Sequence, residues 1–359
     1  MSEVMLTIGS LSLYKSALVI AFGAAACFAL FYALYSAHGG LGAAAWLFAA
    51  ADIVLSVLFC RFLHYYCHSE QYPSFWQAMT RYSTGGYVLA GLVPAALCAG
   101  WLVKLAGLTG NPGRLFDCFA PGALLGCAMI RLSALFNTTC RGKIAVKTPL
   151  LQHLPLASPA TMSSGASDWR FASFFVEFLL LMGAAYLTLR FFYRRRRQSM
   201  KGDLTRDGNV ALFALMLLGA AEVVIDSTRY DSSFLPFNGF VSLGQIVAGL
   251  CLLAPQIVWS VRSLRLRRRG VFHWAIWVLW FVCLAAAGGL EFLVQRRGHW
   301  YLLCYTGMSL AVCGIVQLNL AMFKSLWAKK KRKSAAYKDE LPRIVRTAQK
   351  RPLMQGYEN

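Results

Sequence analysis

The segment GAAEVVIDSTRYD, residues 219–231, carries three carboxylates and a guanidinium at the end of an otherwise apolar run. Glu222, Asp226 and Arg229 are spaced i, i+4 and i+7, which puts all three on one stripe of a helix. Two carboxylates one turn apart repel unless a cation lies between them or one holds a proton. Arg131 is the candidate cation, because it is the one charge in CAMIRLSALFNTT (127–139) and its run is otherwise apolar. Glu177, in a third apolar run, is placed to join it. A charge at mid-membrane depth costs about 2.5–3.5 kcal/mol, so such residues are kept where they face a partner or a cavity. Guanidinium matches phosphate through paired hydrogen bonds. The chemistry on offer is a polar cavity that holds an anionic lipid headgroup. The plainer alternative is an interhelical ion-pair network that only fixes packing.

The remaining intramembrane charges read differently. Asp52 and Glu291 lie far from this cluster in sequence and read as packing pairs. Arg61 and Lys104 lie near span ends and are expected to snorkel to an interface. His38, in SAHGGLG, reads as a turn residue between helices rather than a base.

These residues need long apolar elements to carry them. The chain has 359 residues, is 58% hydrophobic and only 14% charged, which is too apolar for a soluble domain of this size. Its apolar runs are continuous rather than alternating, which excludes a β-barrel and predicts an all-α polytopic membrane protein. Nine candidate spans emerge, at about 11–36, 41–63, 85–108, 115–137, 171–193, 209–227, 239–261, 271–294 and 301–326. The formal charge of +21 does not point to nucleic acid, because the basic residues sit in blocks directly after apolar runs. RRRRQSMKGDLTR (194–206), RSLRLRRRG (262–270) and the KKKRK tail are expected on the cytoplasmic side, which puts the N-terminus outside and the C-terminus inside. Arg296 and Arg297 are the one dissent. The linkers 64–84, 138–170 and 228–238 then face outward.

The 11 cysteines include no C-x-x-C pair and mostly fall in apolar runs, so they read as small hydrophobes. No metal site or cofactor is expected. The N-terminus lacks a basic region and a clear cleavage site, and its first run reads as a retained helix.

The order of motifs resembles the prolipoprotein diacylglyceryl transferase family, collinearly over roughly residues 5–262. IGSLSLY (8–14) is similar to the family's start of helix one, and STGG (83–86) falls at its His-Gly-Gly motif. FDCFAPGALLGCAMIRLSALFN (116–137) is similar to its signature run, with Asp117, Ala120, Pro121, Gly126, Arg131 and Asn137 at matching positions. FASFFVE (171–177) keeps Ser173 and Glu177. EVVIDSTRYD (222–231) matches at Arg229, with Asp226 for a glutamate, and SLGQ (242–245) matches Ser-Met-Gly-Gln.

The resemblance implies a seven-helix body over 1–262; the last two apolar spans are then additional transmembrane helices over 263–327, followed by a basic cytoplasmic tail over 328–359. It implies a bacterial cytoplasmic membrane protein that moves the diacylglyceryl group of phosphatidylglycerol, or another anionic phospholipid, to a cysteine of lipoprotein precursors, with release of glycerol phosphate. Arg131 would grip the phosphate and Glu222 or Asp226 would act as base. Arg229, Glu177, Thr84, Gly85, Gly86, Asn137 and Gln245 would bind substrate. The chain departs from the family pattern at Thr84, where a histidine is expected, and at Ala134, Thr139, Phe171 and Ser16. Glu222 replaces a second arginine, a charge reversal. Three function classes follow: a lipid-transfer enzyme, a non-catalytic lipid- or lipopeptide-binding paralogue, and a transporter.

Overall fold

In lipid every backbone N–H and C=O must find its partner within its own segment, so apolar runs of this length fold as helices. The structure is a computed structural model and describes residues 4–8, 11–80, 86–137, 139–161, 167–197, 206–236, 238–265, 270–298 and 300–349. A hairpin of β1 (Val4–Ile8) and β2 (Leu11–Tyr14) leads into α1 (Lys15–Ser36) and α2 (Gly42–Cys67). Next come the short α3 (Phe75–Thr80), a 3-10 turn at Leu89–Gly91, α4 (Leu92–Leu105) and α5 (Pro112–Ser133). A loop with α6 (Pro149–Gln152) and the hairpin β3 (Ala157–Thr161) and β4 (Ser167–Phe171) precedes α7 (Ser173–Arg197) and α8 (Asn209–Thr228). The hairpin β5 (Phe234–Leu235) and β6 (Asn238–Ser242) leads to α9 (Leu243–Arg265), α10 (Val271–Arg297) and α11 (Tyr301–Gln349).

Eight of the described helices, α1, α2, α5 and α7–α11, are long and apolar enough to cross a membrane. The chain is an all-α polytopic membrane protein. Three expected boundaries move. The first span begins at Lys15, because residues 11–14 pair as a strand. The third span is helical only over Leu89–Leu105, because the chain before it is extended and Val88 N–H bonds the Cys60 carbonyl on α2 (3.1 Å). The last helix runs on to Gln349, through a stretch rich in Lys, Arg and Ala, all good helix formers.

Burial is inverted relative to a soluble protein. Glu177 is fully buried and Arg131 is 5% exposed, whereas Trp46, Ile53 and Leu302 are 62%, 61% and 84% exposed. The outward apolar belt faces lipid and the interior holds the charges. Apolar burial gives little drive between helices in lipid, so close approach through small residues matters. A Cβ on Gly122 of α5 would stand 2.7 Å from the Cys27 carbonyl of α1, and one on Gly219 of α8 would stand 2.5 Å from the Ala248 carbonyl of α9.

Asp117 on α5 accepts the backbone N–H groups of Gly208, Val210 and Ala211, each at 2.9 Å, and an ion pair from Arg195. It is the cap of α8, where a carboxylate satisfies the orphan donors and the positive end of the helix dipole. One acidic residue thereby fixes the height of α8 against α5, and with it the level of Glu222 relative to Arg131. Helices α10 and α11 are not a separate unit. Met216 and Leu252 of α8 and α9 share a buried core with Trp280 of α10 and Ile315 and Met322 of α11.

Candidate functional site

The final turns of α2, α5 and α8 and the first turns of α7 and α9 converge at the end of the bundle opposite Arg194 and Arg195. A loop crosses over this end. Gly142 N–H bonds the Phe171 carbonyl (2.7 Å), Lys143 N–H bonds the Thr228 carbonyl (2.7 Å), and Tyr230 N–H bonds the Arg141 carbonyl (3.1 Å). Beneath it lies a cavity of about 390 Å³ whose wall includes Arg131, Glu222, Asp226, Arg229, Asp231 and Gly86.

Arg131 is the hub. Its Nε pairs with Glu177, and its Nη2 donates to both oxygens of Glu222 at 3.0 Å. Its Nη1 reaches the Cys140 sulfur at 3.7 Å. The two carboxylates are not equivalent: the Glu177 side chain is fully buried behind the guanidinium, while that of Glu222 is 17% exposed on the cavity side.

Arg229 is the second cation. Its Nη1 pairs with Asp226 (3.3 Å) and its Nε with Asp231 (3.1 Å). Asp226 also accepts from the Ser242 hydroxyl. Its carboxylate lies so near Gly244 that a Cβ there would be 3.2 Å away, which explains a glycine in SLGQ. Two guanidiniums thus face four carboxylates. An anionic ligand must displace a carboxylate or find it protonated.

In the crossing loop, burial pushes Asp231 up, but Arg229 and the Cys140 amide outweigh it and hold the carboxyl below its usual range. Burial raises the Cys140 thiol despite Arg229 and Arg131, so this cysteine stays protonated. Burial also lowers Lys143, against the pull of Glu291 and Asp226.

The structure brings together Arg131, Glu177, Glu222, Asp226, Arg229 and Gly86. It puts two sequence candidates into backbone ties instead. Asn137 Oδ1 accepts the Thr139 N–H (3.0 Å) and hydroxyl (2.6 Å), closing the turn after α5. Gln245 Oε1 accepts the Ser242 N–H (3.0 Å) and its Nε2 donates to the Val223 carbonyl (3.2 Å), joining α9 to α8. Thr84 and Gly85 lie outside the described residues. Sequence reasoning missed His64 and His68, which also line the cavity. Their i, i+4 spacing in HYYCHSE was the available signal. It missed Asp231 and Cys140 as well. Among the described residues no group of three or more His, Cys, Asp or Glu is placed to hold a metal ion.

A comparison with curated proteins returns no match. The family model described as prolipoprotein diacylglyceryl transferase matches residues 3–261, a stretch that holds every residue of the cavity wall named above, and the chain belongs to that family.

Proposed function

We propose that the chain transfers the diacylglyceryl group of phosphatidylglycerol to a cysteine thiol of lipoprotein precursors. In this reading it sits in the bacterial cytoplasmic membrane with the N-terminus outside and the C-terminus inside, so the cavity opens toward the outer leaflet. Residues 1–262 are the catalytic body, 263–327 an accessory helix pair, and 328–359 a basic cytoplasmic tail. The observation that carries the reading is Arg131, buried at the cavity wall with Glu222, the more exposed of its two carboxylate partners, on the same wall.

The lipid phosphate replaces Glu222 on Arg131. Glu177 stays behind the guanidinium and keeps its orientation. Arg229, held by Asp226 and Asp231, is the second positive group of the wall. When the bond between the glyceryl carbon and the phosphate oxygen breaks, the leaving glycerol phosphate gains charge, and a fixed cation in a water-poor site stabilises that charge more than the ground state. The test uses purified protein in lipid nanodiscs with labelled phosphatidylglycerol and a peptide carrying one cysteine. The reading expects the thioether-linked lipopeptide from wild type and a loss of about 100-fold or more in Arg131→Ala. An unchanged yield in Arg131→Ala contradicts it.

A second reading, a lipid-binding paralogue without chemistry, is favoured by one observation: Glu222 puts a carboxylate where the family carries an arginine, and it occupies Arg131. Under that reading phosphatidylglycerol binds and no lipopeptide forms.

A further inference from the structure

Transfer to a thiol needs a proton acceptor, because the thiolate is the nucleophile. The carboxylates of the cavity are already engaged. Glu177 and Glu222 are paired with Arg131, Asp226 with Arg229 and Ser242, and Asp231 with Arg229 and the Cys140 amide. Two imidazoles remain on the wall, His64 and His68, near and just past the end of α2.

Their hydrogen bonds separate them. The Gly86 N–H can only donate, so His64 Nε2 accepts it (3.2 Å), and the Nδ1 proton of His64 then goes to the Tyr72 hydroxyl (3.1 Å). Both nitrogens of His64 are used. His68 Nδ1 lies 3.2 Å from the His64 carbonyl, which can only accept. The proton of His68 is therefore on Nδ1, and its lone pair is on Nε2. Among the described residues no hydrogen bond engages that nitrogen. The His68 ring stacks on His64, with centroids 4.6 Å apart and planes at 17°. His64 is itself pinned against Gly86, where a Cβ would meet the ring at 2.9 Å. A fixed ring thus positions a half-buried ring of fixed tautomer at the cavity wall.

We propose that His68 is the general base of the transfer, a role that rests on the transferase reading above. Its Nε2 takes the proton of the acceptor thiol. The sulfur forms a bond to the glyceryl carbon, and the bond from that carbon to the phosphate oxygen breaks. Glycerol phosphate leaves with the electron pair. One negative charge on the phosphodiester becomes two on the phosphate monoester, and the proton on His68 balances the second. His64 is a positioning residue, acting through His68.

The test compares wild type with His68→Gln in nanodiscs, using labelled phosphatidylglycerol and the cysteine peptide, with lipid retention read by native mass spectrometry. The expected result is lipid retention within about twofold of wild type and a transfer rate lower by about 100- to 10,000-fold. In His68→Ala, added imidazole is expected to restore part of the rate. Transfer by His68→Gln within about threefold of wild type overturns the proposal alone. So does loss of lipid retention together with transfer, since the residue would then act structurally. A wild-type protein that retains lipid but transfers nothing overturns the transferase reading, and this proposal with it.

Discussion

At the scale of the residue, the site turns on a competition for one guanidinium. The Nη2 that faces the cavity holds both oxygens of Glu222, and a phosphate needs that same edge. Removing the charge while keeping the shape should release it. Glu222→Gln is expected to raise phosphatidylglycerol affinity by about tenfold, equal to about 1.4 kcal/mol, in a lipid-exchange measurement. An unchanged or lower affinity would mean that Glu222 is not the group displaced. The carriers of this competition were legible in the sequence, because a lone arginine in an apolar run and a helical stripe of charge are both one-dimensional patterns. The histidines were not. His64 and His68 border a linker, and nothing in the order of residues says that Gly86 returns to meet them. Asp231 and Cys140 were hidden for the same reason, since their places depend on a loop crossing over α8. Asn137 and Gln245 show the converse. Their motifs were visible, but only their hydrogen bonds reveal that they tie backbone rather than face the cavity.

At the scale of the element, α8 is located by three devices. Asp117 caps its first turn. Gly219 lets α9 approach along its middle. Near its end, Ser227 donates to Glu291 of α10, Gln295 donates to the same carboxylate at 2.8 Å, and Tyr305 of α11 donates to the Ser227 carbonyl at 3.3 Å. Glu291 reads from sequence as a packing residue, and it packs next to the residue that follows Asp226. Gly219→Val would force α8 and α9 apart at the Ala248 carbonyl. Overpacking of this kind costs about 1–3 kcal/mol, and a lower unfolding temperature in detergent is expected along with reduced transfer. Wild-type stability in this variant would show that the contact is not tight. The helices themselves were legible from their apolar runs, whereas the shortening of the third span was not, because it comes from pairing with distant backbone, and the opening hairpin was not, because its second strand, Leu11–Tyr14, lies in a run that reads as the start of the first helix.

At the scale of the whole molecule, the family match ends at residue 261 but the packing does not. Trp259 and Leu252 of α9 lie in one core with Trp280 and Ile315 of the last two helices. A chain ended at Arg265 would expose that surface and free the end of α8. It is expected to be less stable in detergent and slower in transfer than the full chain. Equal stability and rate would make the last helices a passive addition. The number of extra helices could be counted from the sequence, but their grip on the site helix could not, because it rests on side chains separated by 64 positions.

The measurement that tests the central claim most directly is the coupling of glycerol phosphate release to thiol alkylation in nanodiscs. With labelled phosphatidylglycerol and the cysteine peptide, the account predicts one glycerol phosphate released per lipopeptide formed, and none when the peptide cysteine is serine or when the protein carries Arg131→Ala. Release without the thiol, or retained lipid with no release at all, would contradict it.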